Sequence, residues 1–157
     1  VLTTKTTPNY KGKMTVLRDV LVPDKEVPEE FYVNDKDLPQ WKFLKGRKSL
    51  VRVSKRTGRK YRYDEGSMVF PDDLDKPSRT IVTGEGGGTP SRFKHVVKAQ
   101  NGRLRRLTPV ELERLNMFPD NHTSGESDTK RAFLMGNALV VGVVAKLGKG
   151  LVKAIDN

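Results

Sequence analysis

The sequence predicts an α+β fold: a small, irregular, strand-rich unit, then a capped helix, then a C-terminal helix that docks outside that unit. Three observations predict it. The basic window Lys42 to Arg62 alternates its charges with Phe43, Leu44, Leu50, Val51, Val53, Tyr61 and Tyr63, the texture of strands joined by a turn at Thr57-Gly58. Thr108-Pro109-Val110-Glu111 has the form of a capping box with proline at the first helical position. The C-terminal segment is apolar on most sides and then basic at Lys146, Lys149 and Lys153, a helix that needs cover the chain does not offer.

Taken in order, residues 1–40 are mixed and rich in proline and acids, with Thr15 to Leu21 suited to a short helix or strand. Residues 41–70 form the basic strand-rich unit. Pro71 to Pro77 is a turn-rich break, and Ser78 to Thr83 a short β-branched strand. Gly84 to Pro90 is a loop, because four glycines and a proline suit neither helix nor strand. Ser91 to Lys98 reads as another strand, and Asn101-Gly102 as a hairpin turn. A helix over about Pro109 to Met117 follows, with Leu107 and Leu112 placed as its hydrophobic staple. Phe118-Pro119-Asp120 ends it, and Asn121 to Thr129 is polar loop. Asn137 is the expected N-cap of a helix over about Ala138 to Lys153.

Charge narrows the function. The 157 residues carry 30 Lys+Arg against 19 Asp+Glu, net +11. Ten of those basic residues lie between Lys42 and Arg62 with no acid among them, so the rest of the chain is nearly balanced. Such a segment suits a polyanion, whose condensed counterions are released on binding. A membrane surface is the weaker partner, and no stretch is apolar for long enough to span a bilayer: Ala132 to Ala145 is only 14 residues. The absence of cysteine excludes disulfides, thiolate metal sites and a thiol nucleophile within this chain. Two histidines make a His-built metal site unexpected, and neither His95 nor His122 is given a catalytic role. Gly84 to Ser91, GEGGGTPS, lacks the lysine of a nucleotide-binding P-loop and opens no helix. The start at Val1 suggests an excised or processed piece.

Arg105 to Asp120, RRLTPVELERLNMFPD, and then Arg131 to Val144, RAFLMGNALVVGVV, resemble the last two conserved blocks of DNA cytosine-5 methyltransferases. Asp75 to Thr83, DKPSRTIVT, resembles the stretch before the base-reading loop of that family's target-recognition domain, and Thr15 to Val33 its linking segment. Met117 stands where the family usually has glycine, and Ala138-Leu139 replace a commoner pair. The family's Gly-rich cofactor loop, Pro-Cys and Glu-Asn-Val blocks have no counterpart here.

The resemblance implies residues 1–40 as a linker from a catalytic half, 41–125 as target-recognition domain and 126–157 as a segment returning to the catalytic domain. It implies DNA (cytosine-5-)-methyltransferase activity in concert with that catalytic domain or subunit, and none from this chain alone. The setting is a prokaryotic or phage cytoplasm, as in restriction-modification. The cofactor is S-adenosylmethionine, held mainly by the absent half, with Asn137, Ala138 and Leu139 on its border. The partner is double-stranded DNA, with phosphates met by Lys42, Lys45, Arg47, Lys48, Arg52, Lys55, Arg56, Arg59 and Lys60. Bases are read by Arg79, Thr80, Ser91, Arg92 and Lys94 around the glycine loop. Arg106 and Arg114 are expected to pair with acids. A stand-alone, non-enzymatic nucleic-acid-binding module remains the alternative, and a protein that binds acidic protein surfaces is a third.

Overall fold

Prolines divide the N-terminal stretch into short pieces. The structure, a computed structural model, describes residues 10–155; residues 1–9 of the expected linker and 156–157 of the C-terminal segment lie outside it. From Leu17 to Asp37 the chain runs through 3-10 turns at Leu17–Val20, Asp24–Glu26, Glu29–Phe31 and Asp35–Asp37. Pro23 and Pro28 stand immediately before the second and third of these. Helix α1, Leu38–Lys45, starts with proline in its first turn, where no amide partner is lost. Its Trp41 is buried and stacks on Phe70 with ring centroids 6.4 Å apart. The expected strand-rich unit over residues 41–70 therefore opens with the end of a helix.

Strands β1, Lys48–Val53, and β2, Lys60–Glu65, form an antiparallel hairpin in which Lys48 faces Glu65 and Val53 faces Lys60. The turn falls where the sequence puts it, with Gly58 in the left-handed region at φ 66°. Both faces of this hairpin are largely open to solvent.

A second antiparallel pair joins β3, Val96–Lys98, to β4, Leu104–Arg106, through the Asn101-Gly102 turn, with Gly102 at φ 84°. Tyr32 adds one bridge to Arg105. The strand expected over Ser78 to Thr83 does not form, and the one expected over Ser91 to Lys98 shrinks to three residues. Val96 gives both backbone groups to Asp72: its amide bonds the carboxylate at 2.8 Å and its carbonyl accepts from the Asp72 amide at 2.7 Å. The outer edge of β3 is thereby closed to a further strand.

Helix α2, Pro109–Leu115, carries the capping box: Thr108 Oγ1 accepts from the Glu111 amide, and Glu111 accepts from the Thr108 amide at 2.7 Å. Leu107 and Leu112 are both buried, as a staple requires. The helix ends in a Schellman motif. The Met117 amide bonds the Arg114 carbonyl at 2.9 Å and the Phe118 amide the Glu113 carbonyl at 3.0 Å, with Met117 at φ 62°. Helix α3, Asp128–Asn137, follows, capped by Ser127. The main core joins Leu17, Val20, Ile81, Val97, Leu107, Leu112, Ala132 and Met135, and takes no buried residue from the basic unit over residues 41–70. Val27, Phe31, Tyr32 and Ala99 form a smaller cluster. Close backbone approach seals α3 against residues 82–86: a methyl at Gly136 would lie 2.5 Å from the Thr83 nitrogen, and one at Gly86 2.9 Å from Thr129 Cα.

Asn137 corrects the expected cap. It is the last residue of α3, and its Nδ2 donates to the Phe133 carbonyl at 2.9 Å. Ala138 is extended and breaks the helix, and α4 starts at Val141, whose amide bonds the Asn116 carbonyl at 2.9 Å. Helix α4, Val141–Ile155, buries no residue, as expected of a helix lacking its cover. Lys146, Lys149 and Lys153 share one side, and Leu147, Leu151 and Ile155 lie on the opposite arc. The fold is thus α+β: two small antiparallel sheets, helices around them and a C-terminal helix.

Candidate nucleic-acid interface

The basic window divides into an outer set and an inner set. Lys42, Arg47, Arg52, Lys55, Arg56, Arg59 and Lys60 are exposed, as is Arg62 on the same hairpin. Among the described residues Lys55, Arg56, Arg59 and Lys60 have no side-chain hydrogen bond or ion pair, so four cationic heads face solvent in and beside the turn. Arg52 lies over the Tyr63 ring at 3.6 Å, which stiffens the strand beneath them. Tyr63 donates to Glu65 at 2.7 Å, and that bond and Lys48 hold the Glu65 carboxyl below the usual carboxylate range.

The inner set braces the hairpin's base. Lys48 pairs with Glu65 at 3.0 Å and donates to the Leu44 carbonyl at 2.8 Å. Arg92 pairs with the same carboxylate at 3.3 Å and donates to the carbonyls of Leu44, Gly46 and Gly66. Lys45 is buried and donates to the Lys94 carbonyl. Burial pushes its ammonium down to about 8, and the neighbouring Arg79 adds to the effect.

Three of the five expected base readers point inward. Arg79 grips Asp72 with two bonds, at 2.6 and 3.1 Å. Burial raises the Asp72 carboxyl, but Arg79 and the Val96 amide overcome it, and the group titrates below its ordinary range. Lys94 is buried and donates at 2.8 Å to the carbonyls of both Gly87 and Thr89, tying the glycine loop shut. Burial, then Arg106, lowers its pKa. Arg92 is the third. Thr80 is exposed and Ser91 half-buried. The expected pairing of Arg106 with an acid is also corrected: it donates to the Gly87 and Glu30 carbonyls, and Arg105 takes Glu111 instead. Arg114 does pair, with Asp120.

Beneath the loop, Ser78 Oγ lies 3.1 Å from His95 Nε2, and Glu85 Oε1 3.1 Å from His95 Nδ1. This serine–histidine–carboxylate row has the spacing of a nucleophilic relay. His95 is fully shielded from solvent, however, and Glu85 also accepts from its amide, so the row fastens the loop to β3. Sequence reading missed this buried set because its members are up to 17 residues apart. Arg62, counted in the basic window but not among the expected phosphate contacts, is exposed on the same hairpin.

Ala138 and Leu139 line an open cavity of about 510 Å³ together with Thr15, Ser78, Arg79, Thr80, Asn116 and Met117. Asn137 is exposed just outside it. Among the described residues no carboxylate lines this cavity, so they offer one wall for a nucleoside rather than a whole site. No helix of the described residues is long and apolar enough to cross a membrane, and no cluster of three metal-ligating side chains occurs among them.

Residues 3–153 match the C-5 cytosine-specific DNA methylase family. The chain is 37% identical over 153 residues to the type II methyltransferase M.Sau3AI of Staphylococcus aureus, an alignment covering 98% of this chain and 35% of that protein. It spans about a third of that relative's length. The fold resembles the S. pombe Dnmt2 methyltransferase, with a TM-score of 0.60 at 17% identity over 94% of this chain and 44% of that one. It also resembles the Entamoeba histolytica methyltransferase EhMeth, with a TM-score of 0.55 at 18% identity over 96% of this chain and 44% of that one.

Proposed function

Since the chain belongs to the C-5 cytosine-specific DNA methylase family, we propose that it is the DNA-recognition and C-terminal part of a DNA (cytosine-5-)-methyltransferase. Such an enzyme transfers a methyl group to C5 of a cytosine that must first leave the base stack. In this reading residues 41–125 are the target-recognition domain, residues 1–40 lead from a catalytic half, and residues 126–157 return to it. The partners are double-stranded DNA and that half, against which the apolar arc of α4 packs. The observation that carries the recognition role is the solvent-exposed basic hairpin Lys48–Glu65, whose Lys55, Arg56, Arg59 and Lys60 side chains have no partner among the described residues.

With no cysteine, this chain contributes no thiolate, so the nucleophile comes from the catalytic half. S-adenosylmethionine supplies the electrophilic methyl group when bound. Ala138 and Leu139 would cover one edge of it, with the Asn137 amide beside them; the cavity fits an edge and no more. The rest of the cofactor site belongs to the catalytic half.

The test is duplex binding and methyl transfer by this chain. The expected result is duplex binding whose logarithm falls linearly with the logarithm of salt concentration. Methyl incorporation from S-adenosylmethionine is expected only when a catalytic half of the family is added. Incorporation by the chain alone would overturn the reading. So would a preference for structured RNA in competition, which favours a non-enzymatic RNA-binding module.

A further inference from the structure

We infer that the hairpin turn is the sequence-reading element, with Arg56 and Arg59 addressing base edges while Lys55 and Lys60 hold phosphates. The inference rests on the DNA-recognition reading above and reverses the division of labour that the sequence suggests.

Two sets of facts lead there. The first removes the glycine-loop candidates. A guanidinium reads guanine by giving two parallel N–H bonds to O6 and N7. Arg79 already gives such a pair to Asp72, and Arg92 gives its fork to Glu65 and to three backbone carbonyls. The Lys94 ammonium closes the loop on two carbonyls. Turning Arg79 outward would take two bonds from the buried Asp72, a cost comparable to what reading a base returns, and turning Arg92 or Lys94 outward would break the several bonds by which each ties half-buried backbone together.

The second set concerns the hairpin. Six residues per strand make a ribbon about 20 Å long. The major groove, about 12 Å wide and 8.5 Å deep, admits a two-stranded ribbon. A ribbon buried against its own protein on one face could offer only the other; this one is exposed on both. Its base is fixed by Lys48 and Arg92 on Glu65, and by the Met68 amide on the Lys45 carbonyl at 2.8 Å. The Arg52–Tyr63 stack stiffens its middle. A stiff ribbon with a fixed base delivers its turn to a defined depth. At that turn arginine and lysine serve different ends, because only arginine carries the planar fork, whereas lysine is a point charge suited to phosphate.

The experiment uses charge-conserving changes. The 157-residue chain selects from a duplex pool with a randomised core, and the enriched duplex and an unrelated duplex are then titrated at several salt concentrations. Arg56→Lys and Arg59→Lys keep the charge and lose the fork. Each is expected to lower the preference for the enriched duplex roughly 5- to 150-fold, with the unrelated duplex and the salt slope unchanged. Lys55→Ala and Lys60→Ala are expected to weaken both duplexes alike and to reduce the slope by about 1 each. All four side chains are exposed, and unchanged thermal melting shows that the fold is intact. Preserved preference in both arginine variants, or its loss in Thr80→Ala or Ser91→Ala instead, overturns the inference while leaving DNA recognition standing. Failure of the unaltered chain to bind any duplex overturns both.

Discussion

Arg105 and Glu111 form a two-bonded ion pair, at 2.8 and 2.9 Å, in which neither residue is reached by solvent. Glu111 also accepts from the Thr108 and Val22 amides, so one carboxylate joins β4, the α2 cap and the N-terminal turns. Removing the guanidinium strands a buried charge. Arg105→Ala is expected to cost about 3–5 kcal/mol in urea denaturation. Arg103→Ala, which removes an exposed pair with Glu29 and a stack on Tyr32 at 4.1 Å, is expected to cost no more than about 1 kcal/mol.

Met117 occupies a left-handed position that favours glycine. This accounts for the family's usual glycine before Phe-Pro-Asp. Met117→Gly is expected to raise stability by about 1 kcal/mol by removing that strain. Its side chain lies against Gly142 at the start of α4. The same variant should therefore loosen that helix, read as faster amide exchange in residues 141–145.

Gly136 lies where α3 meets the backbone of Val82 and Thr83, with no flexible side chain to yield. Gly136→Ala is expected to destabilise by roughly 1–3 kcal/mol through overpacking, and Gly86→Ala by a similar amount. Gly84→Ala, at a position with open space around it, serves as the matched control and should change little.

Lys45 makes stability depend on pH. Its folded pKa, about 8, lies below that of the unfolded chain, so the unfolded form binds the extra proton between about pH 8 and the ordinary lysine range. Stability from this group therefore rises with pH across that window, and the full burial penalty applies below it. Lys45→Met removes the penalty, and Arg79 still serves the Lys94 carbonyl at 3.3 Å. The variant is expected to match or exceed the parent at pH 7. Its advantage should shrink by about pH 10, checked by paired urea midpoints. An advantage constant with pH would refute the assignment.

Local chemistry was legible. The capping box at Thr108 and Glu111, the staple leucines and the turns at Gly58 and Gly102 depend on neighbours within a few residues, and each stands where the pattern put it. The fate of the cations was not. Arg79 finds Asp72 seven residues away, Arg92 the Leu44 carbonyl 48 away and Lys45 the Lys94 carbonyl 49 away, distances at which charge patterning along the chain says nothing. The strand expected at Ser78 to Thr83 failed for the same reason. Its β-branched residues suited a sheet, but Ile81 is taken up by the core and the free edge of β3 is held by Asp72, 24 residues before Val96. Asn137 had the chemistry of a cap, and the extended Ala138 together with the bond from Val141 to Asn116, 25 residues back, shows that the helix restarts beyond it.

The hairpin's two open faces carry an evolutionary consequence. No core side chain is donated by its turn, so substitutions at Lys55, Arg56 and Arg59 meet little selection from folding, whereas Gly58, at φ 66°, and the Ser54 and Thr57 hydroxyls hold the turn's shape. The socket formed by Glu65, Lys48 and Arg92 is held by many bonds, so substitutions there cost folding. On the proposal that the turn reads the bases, one target sequence could be exchanged for another by rewriting a handful of codons there, while the scaffold that presents it stays intact.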